Sequence, residues 1–390
     1  MGPTFRLVAT LLLGLALTGP AAAARPAFTV PDGQLPPDAA AARAQLARIL
    51  SRAAPGSLVE SDVRYVLRLD RAHLRPGQPA GRRATVARTL RVNAWYYARW
   101  SAPDDRAIIR DPDGLLSTYW EGRGFALNPI ATVGRWQGLN ADLPPERLAA
   151  ALLPYGVARR SGGRAFRLWE YYDVPDRPGL IRPGASGMAQ GRIAQLMGRA
   201  YHETAQRRYA DAAWRALKAF TVGVDRGGVR SDVAPGRARD PWYVERAYPG
   251  ASPWRGAALN GFMVTLLNLH AAVPLLSSRP VPLTTGPRAQ RARPRAPGAV
   301  RSARLASSLA RGGERTLRRY LLLHDTGSWS LYGLLTPGWA WRTHIADRGY
   351  HCYHVTLLRQ LQRQAPSYGF GRAAERWRGY ARRAGVSCGP

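Results

Sequence analysis

Apolar residues recur at helical spacing through most of the chain. Between 187 and 204, Met188, Ile193, Leu196, Met197, Ala200 and Tyr201 share one side of a 3.6-residue period, and 209–220 repeats the pattern. Residues 257–272 are apolar almost throughout and read as a buried helix closed by Pro274. Further helices are predicted over 39–50, 84–100, 130–139, the segment after Pro144 and Pro145, 305–317, from 355 onward and 370–381. Period-two patterning is scarce. It predicts a small strand over 63–69, another at 108–110 before the turn Asp111-Pro112-Asp113-Gly114, and an extended stretch over 164–173. Helix pairs joined by long loops bury their stripes best in a mainly α fold, an incomplete α/α barrel or toroid with a small β-containing N-terminal region.

The ends and the Pro-rich stretches divide the chain. Arg6, an apolar run from Leu7 to Leu17, a Thr-Gly-Pro break and four alanines read as a signal peptide over 1–24, cut after Ala24. That run is too short for an ordinary span, and no membrane span is expected in the mature chain. Residues 25–80 read as a linker and short β-containing region. Residues 81–390 read as the helical domain, with an irregular Pro- and Arg-rich insertion at 275–300. The chain is thus expected to be secreted or envelope-associated, where Cys352 and Cys388 can either pair or stay free. A homodimer is compatible with the sequence.

Charge narrows the partners. The formal charge is +32, and Lys218 is the only lysine, so nearly all of it is arginine. Such a surface attracts polyanions. No nucleic-acid-binding motif accompanies it, so nucleic acid is not the expected partner and an anionic polysaccharide is.

The densest chemistry lies near the C-terminus. Asp325-Thr326-Gly327-Ser328 leads to Tyr332, and Tyr350-His351 with His354 follows. Asp325 either shapes an Asx turn or meets sugar hydroxyls. His351 and His354 share one prospective helical turn, but no third ligand completes a standard metal set there, so no metal is assigned. Upstream, Glu170 sits among Trp169, Tyr171 and Tyr172, either as a sugar contact or as a paired carboxylate. Gln190 divides between sugar contact and helix packing.

Four stretches together resemble the C-terminal domain of the heparosan and heparan sulfate D-glucuronyl C5-epimerases. They are Asn128-Pro129-Ile130; Met188-Ala189-Gln190-Gly191 with Arg199-Ala200-Tyr201; Trp242-Tyr243-Val244-Glu245 through Tyr248-Pro249 to Leu259-Asn260-Gly261-Phe262-Met263; and Asp325 to Ser328 with Tyr332, Tyr350, His351 and His354. The resemblance implies an α/α catalytic domain acting on uronate within an anionic glycan. C5 inversion needs a base on one face of the sugar, an acid on the other and donors for the carboxylate, with no external cofactor.

By resemblance Tyr350 and Glu245 form that pair, and Tyr248 and Tyr332 position the ring or assist proton transfer. Asn260, Gln190, Asp325, His351, His354 and Glu170 are candidate substrate contacts or supports. Two departures stand out. The family's adjoining Glu-Tyr pair here reads Glu245-Arg246-Ala247-Tyr248, so a small insertion separates the two registers. The arginine that follows the family's first tyrosine is missing after Tyr332, where the chain reads Gly333-Leu334-Leu335, and Arg342 or Arg348 is the expected substitute. A uronate lyase, which eliminates at C4 after the same proton abstraction, is the main competing enzyme, and a hydrolase using Glu245 and Asp325 the lesser one. A non-catalytic polysaccharide-binding protein competes from outside enzymology.

Overall fold

The computed structural model describes residues 27–134, 140, 142–172, 183–232, 240–248, 258–280, 296–333 and 345–389. The fold is mainly α, with small sheets concentrated in its N-terminal half. Helices α1 (Ala39–Arg52), α2 (Leu58–His73) and α3 (Ala80–Tyr97) pack against a four-stranded sheet of β1 (Ala27–Thr29), β2 (Ile108–Arg110), β3 (Leu116–Trp120) and β4 (Gly124–Leu127). The strands follow chain order. β1 runs parallel to β2, and the remaining pairs are antiparallel.

The strand predicted over 63–69 is helix instead, inside α2. Ser57 caps that helix by accepting the Glu60 N–H, 3.2 Å away, and Glu60 reaches back to the Gly56 N–H at 2.6 Å. The buried set Asp62, Val63, Val66, Leu69, Asp70 and His73 keeps helical spacing, which overrides the local alternation. Asp62 then ties the region together, accepting from Tyr97 Oη at 2.6 Å, Tyr119 Oη at 2.9 Å and the Gly124 N–H at 3.0 Å.

Short helices α4 (Pro129–Val133) and α5 (Pro145–Leu152) lead to an antiparallel hairpin of β5 (Gly156–Ser161) and β6 (Arg164–Trp169). The predicted extended stretch at 164 is therefore one arm of a hairpin. α4 accounts for the start of the helix predicted over 130–139, and 135–139 lie outside the described residues.

The helical body follows. It comprises α6 (Gly187–Thr204), α7 (Arg207–Lys218), α8 (Leu259–Ser277), α9 (Pro297–Tyr320), α10 (Arg348–Gln364) and α11 (Phe370–Arg383), with a two-stranded pair, β7 (Arg230–Asp232) and β8 (Pro241–Tyr243), between α7 and α8. α8 packs against α6 and α10, while α7 and α9 pack on each other behind α6 and α8, and α11 lies against α10. Two layers result. α8 is long and apolar enough to cross a membrane, yet it is flanked on both sides by neighbours, and its burial is that of a core helix. It does not stop at Pro274 but continues to Ser277, where the Ser278 N–H reaches Pro274 O at 3.0 Å and Leu276 stays fully buried. α9 likewise begins eight residues before the predicted start at 305, at Pro297, a residue suited to a helix's first turn. Of the irregular insertion, 281–295 lie outside the described residues.

Cys352 and Cys388 are bonded, with Cα atoms 4.8 Å apart, so the C-terminal tail is fixed to the first half of α10.

Candidate active site

Three short segments converge at the N-terminal ends of α6, α8 and α10. The first follows β8. Its backbone is held to the start of α6 by Gly187 N–H to Val244 O at 2.8 Å, and by paired bonds between Ala185 and Ala247 at 2.7 and 2.8 Å. Glu245, between those anchors, turns its side chain to Gly261 in the first turn of α8. A Cβ at Gly261 would lie 2.7 Å from Glu245 Oε2, closer than real Cβ atoms approach, and 3.0 Å from its Cβ, so a side chain there would make the carboxyl shift. The second segment is Leu331–Gly333. It pairs with Ala258 through Gly333 and with Ile345 through Leu331, and Tyr332 O accepts the Leu259 N–H at 2.8 Å. The third is the first turn of α10, capped by Asp347, which accepts the Tyr350 N–H at 2.7 Å.

Tyr332 and Tyr350 meet edge to face, with centroids 4.8 Å apart at 73°. Their phenols are hydrogen-bonded. The bond makes Tyr332 harder to ionise and Tyr350 easier. Burial pushes both phenols up, and the Glu245 carboxylate pushes them further, while Arg246 opposes it. Burial also raises Glu245, with Arg246 pulling the other way. Glu245 Oε2 and Asn260 Oδ1 are buried and make no hydrogen bond among the described residues. A carboxyl, two phenols and an arginine thus share one electrostatic neighbourhood. A carboxyl raised by burial is a stronger base than a free one, and a neutral phenol beside it is a proton donor, so the set can take and give protons on carbon-bound hydrogen.

Behind the phenols lies a layer of imidazoles. His351 Nε2 donates to Trp377 O at 2.9 Å, so its Nδ1 is the acceptor of the Ser330 N–H at 3.1 Å. Ser330 Oγ is 2.8 Å from His351 Nδ1 and 2.9 Å from His354 Nδ1. Its single proton must point to His351, which has no proton on Nδ1 to offer, and His354 Nδ1–H therefore donates to Ser330; these tautomers are assigned from the network. Trp329 stacks on His351 at 3.8 Å and 13°, and its Nε1 donates to Ala346 O at 2.7 Å. His324 lies on the face of Trp242. Burial depresses all three imidazoles, His324 down to about 4. Burial thus favours the neutral form of each. Among the described residues no cluster of three or more His, Cys, Asp or Glu is arranged to hold a metal.

With this geometry in place, similarity to known proteins decides the family. Residues 165–379, more than half of the chain, match the family described as the D-glucuronyl C5-epimerase C-terminus. The chain belongs to that family. A Caenorhabditis elegans protein named D-glucuronyl C5-epimerase is 30% identical over 209 residues, which is 53% of this chain and 30% of that protein. The chain therefore matches less than a third of that relative's length.

The sequence-predicted residues of this family member separate into two groups. Glu245, Tyr332 and Tyr350 come together, with Asn260 beside Gly261 at the same helix start. Tyr248 is nearly buried at the Ala185–Ala247 bridge, with its ring packed closely over Gly184. His351 and His354 are fully buried and support the loop through Ser330. Arg348 is exposed at the start of α10, and Arg342 lies outside the described residues.

Three others are used inside the fold. Gln190 is fully buried; its Oε1 accepts the Trp169 N–H at 3.1 Å and its Nε2 donates to Arg167 O at 2.9 Å, so its sugar-contact reading gives way to packing. Glu170 is 1% exposed and is bound by Arg82 at 2.8 and 3.0 Å, by Arg159 and by Tyr172 Oη at 2.7 Å; it is the paired carboxylate, not a sugar ligand. Asp325 forms the Asx turn with the Gly327 N–H at 2.9 Å and also accepts from Arg376 Nε at 2.8 Å and Trp377 Nε1 at 2.9 Å, which anchors the loop to α11.

Three residues escaped the sequence reading. Arg246 acts on Glu245, Tyr332 and Tyr350 together. Its signal was its place inside the insertion between Glu245 and Tyr248. Tyr353, one turn beyond Tyr350, and Arg192 on α6 are the others, and helical spacing from Tyr350 was the available clue to the first.

Proposed function

We propose that the chain inverts C5 of D-glucuronate residues to L-iduronate within an anionic, heparosan-like polysaccharide. The observation that carries this reading is the convergence of the Glu245 carboxyl with the hydrogen-bonded Tyr332 and Tyr350 phenols, in a member of a C5-epimerase family. In the forward direction Glu245, ionised, removes the C5 proton. The bonding pair moves into the uronate carboxylate, and Tyr350 delivers its proton to C5 from the opposite face. Tyr332, hydrogen-bonded to Tyr350 Oη, stabilises the phenolate left behind and fixes its direction. The reverse reaction begins from that phenolate and the protonated Glu245. Arg246 meets the negative charge that builds on the substrate carboxylate, a role the sequence alone directed to Arg342 or Arg348. The N-terminal ends of α6, α8 and α10 add partial positive charge on the same side.

The decisive experiment follows C5 by NMR in deuterated water, with unsulfated and N-sulfated glucuronate polymers and the full chain. Deuterium at C5 with iduronate formation is expected, and Tyr350→Phe and Glu245→Gln should each lower the rate by about 10²–10⁴-fold. Unsaturation between C4 and C5 would move the assignment to a lyase. Absence of exchange on every polymer would remove the reading.

Two further readings belong here. The alternation of inner helices α6, α8 and α10 with α7, α9 and α11 supports an open α/α toroid, and a crystal structure whose inner helices enclose no common cleft would overturn it. Residues 1–24 are read as an export signal, and a mature N-terminus other than Arg25 on the secreted protein would count against it.

A further inference from the structure

The outer helix α9 carries its charge in a row. Every exposed position from 301 to 319 is arginine except Ser308: Arg301, Arg304, Arg311, Arg315, Arg318 and Arg319. At 3.6 residues per turn these fall within an arc of about 100°, and 301 to 318 covers about 26 Å of the helix axis. Like charges at three- and four-residue spacing repel within a helix, so the row costs stability that solubility does not require. The single carboxylate of α9, Glu314, is buried and taken by His270 of α8, and Arg319 turns to Asp240. Among the described residues the other five arginines have no ion pair. Neighbouring helices differ. Arg207 and Arg208 of α7 face Asp211 and Glu146, and Arg359 and Arg378 of α10 and α11 share Glu375. Where α9 meets α7, Arg301 and Lys218 stand over the half-buried ring of Trp214, 5.6 and 5.4 Å from its centroid, which fixes the head of the row. The row faces away from the reacting groups. On the other side of α9, Leu309 O accepts from Tyr243 Oη at 2.9 Å and Gly313 packs on Tyr243 and Phe262, so the thickness of the helix, about 10 Å, lies between.

We propose that the outer face of α9 is a docking track for a linear anionic polysaccharide, holding a stretch of polymer remote from the residue being inverted. A single row of guanidiniums meets carboxylates or sulfates spaced along one strand, and each can pair with two oxygens at once. An anionic membrane is the competing partner, because Leu322 and Leu323 are exposed just beyond α9. A bilayer calls on a broad basic face, however, and the flank of this row is neutralised on α7 by Asp211 and Glu146. Binding on the track uses none of Glu245, Tyr332 or Tyr350. Its effect on turnover rests on the epimerase reading: a polymer tethered on α9 presents its other residues to the site at raised local concentration.

The test compares the full chain with a track variant, Arg304→Gln, Arg311→Gln and Arg315→Gln together, and with a control of equal net charge, Arg363→Gln, Arg372→Gln and Arg382→Gln on exposed positions of α10 and α11. The probes are a long glucuronate–glucosamine polymer, a tetrasaccharide of the same repeat and vesicles of anionic phospholipid. Calorimetric titration gives affinity, C5 exchange gives kcat and KM, and vesicle binding is read by sedimentation. The track variant is expected to bind the polymer about tenfold more weakly and to raise KM for it by a similar factor, with kcat and all values for the tetrasaccharide within twofold. Added salt should narrow the gap. An equal loss in the control would reduce the effect to diffuse charge and overturn the track. So would an equal loss on the tetrasaccharide, which would put these arginines at the site itself. A loss on vesicles with none on the polymer would replace the polysaccharide by a membrane. A wild-type chain that binds the polymer through α9 without exchanging C5 would overturn the epimerase reading and leave the track standing.

Discussion

Gly261 shows how much of this site depends on single atoms. Its missing side chain is the room in which the Glu245 carboxyl lies. Gly261→Ala is expected to displace that carboxyl and lower kcat by at least about tenfold. Alanine is the better helix former by roughly 1 kcal/mol, so thermal stability should fall far less than activity, and paired melting and exchange measurements check the split. The buried imidazoles give a second prediction. The pKa values of His324, His351 and His354 are depressed in the folded protein below the ordinary 6.5, so folding favours their neutral forms. Their contribution is complete above pH 6.5 and is lost as pH falls toward 4, on the order of 3 kcal/mol for His324. Denaturant titrations across that window should show it, and His324→Phe should flatten the slope. At this scale the sequence was informative about residue types but not about their use. Tyr350 and Glu245 were legible through a resemblance, whereas the spent state of Gln190 and Glu170 was not, because their partners Arg167, Arg82 and Arg159 come from elements whose docking no local pattern encodes.

Between elements, Ser330 fastens the Tyr332 segment to α10. Removing its hydroxyl leaves His354 Nδ1–H without an acceptor and takes one donor from His351 Nδ1, a cost of about 1–3 kcal/mol for a buried group. Ser330→Ala is expected to loosen the Tyr332–Tyr350 contact and lower kcat with little change in KM, and Ser330→Thr, which keeps the hydroxyl, should recover part of the rate. Long helices were the most legible elements. α6 begins and ends where its apolar spacing does, because that stripe is what it buries against α8. α2 was missed for the opposite reason: Val63, Tyr65, Leu67 and Leu69 fall on alternate positions and imitate a strand, while the deciding cap lies outside the apolar run.

Over the whole molecule, covalent and ionic ties connect parts that lie far apart in sequence. The Cys352–Cys388 bond closes a loop of 36 residues just beyond Tyr350 and constrains the unfolded chain by about 3–4 kcal/mol. Reduction should therefore lower the melting temperature by several degrees, read by calorimetry with and without reductant. The Glu170 cluster makes a different tie. Its arginines come from α3 and β5, both upstream of residue 165, where the family match begins. A polypeptide cut at that boundary would keep the carboxylate and its apolar surroundings but lose both cations and half of the hairpin. The limits within which sequence similarity is detected are therefore not the limits within which this chain can fold, and a fragment meant to stand alone must begin ahead of Arg82.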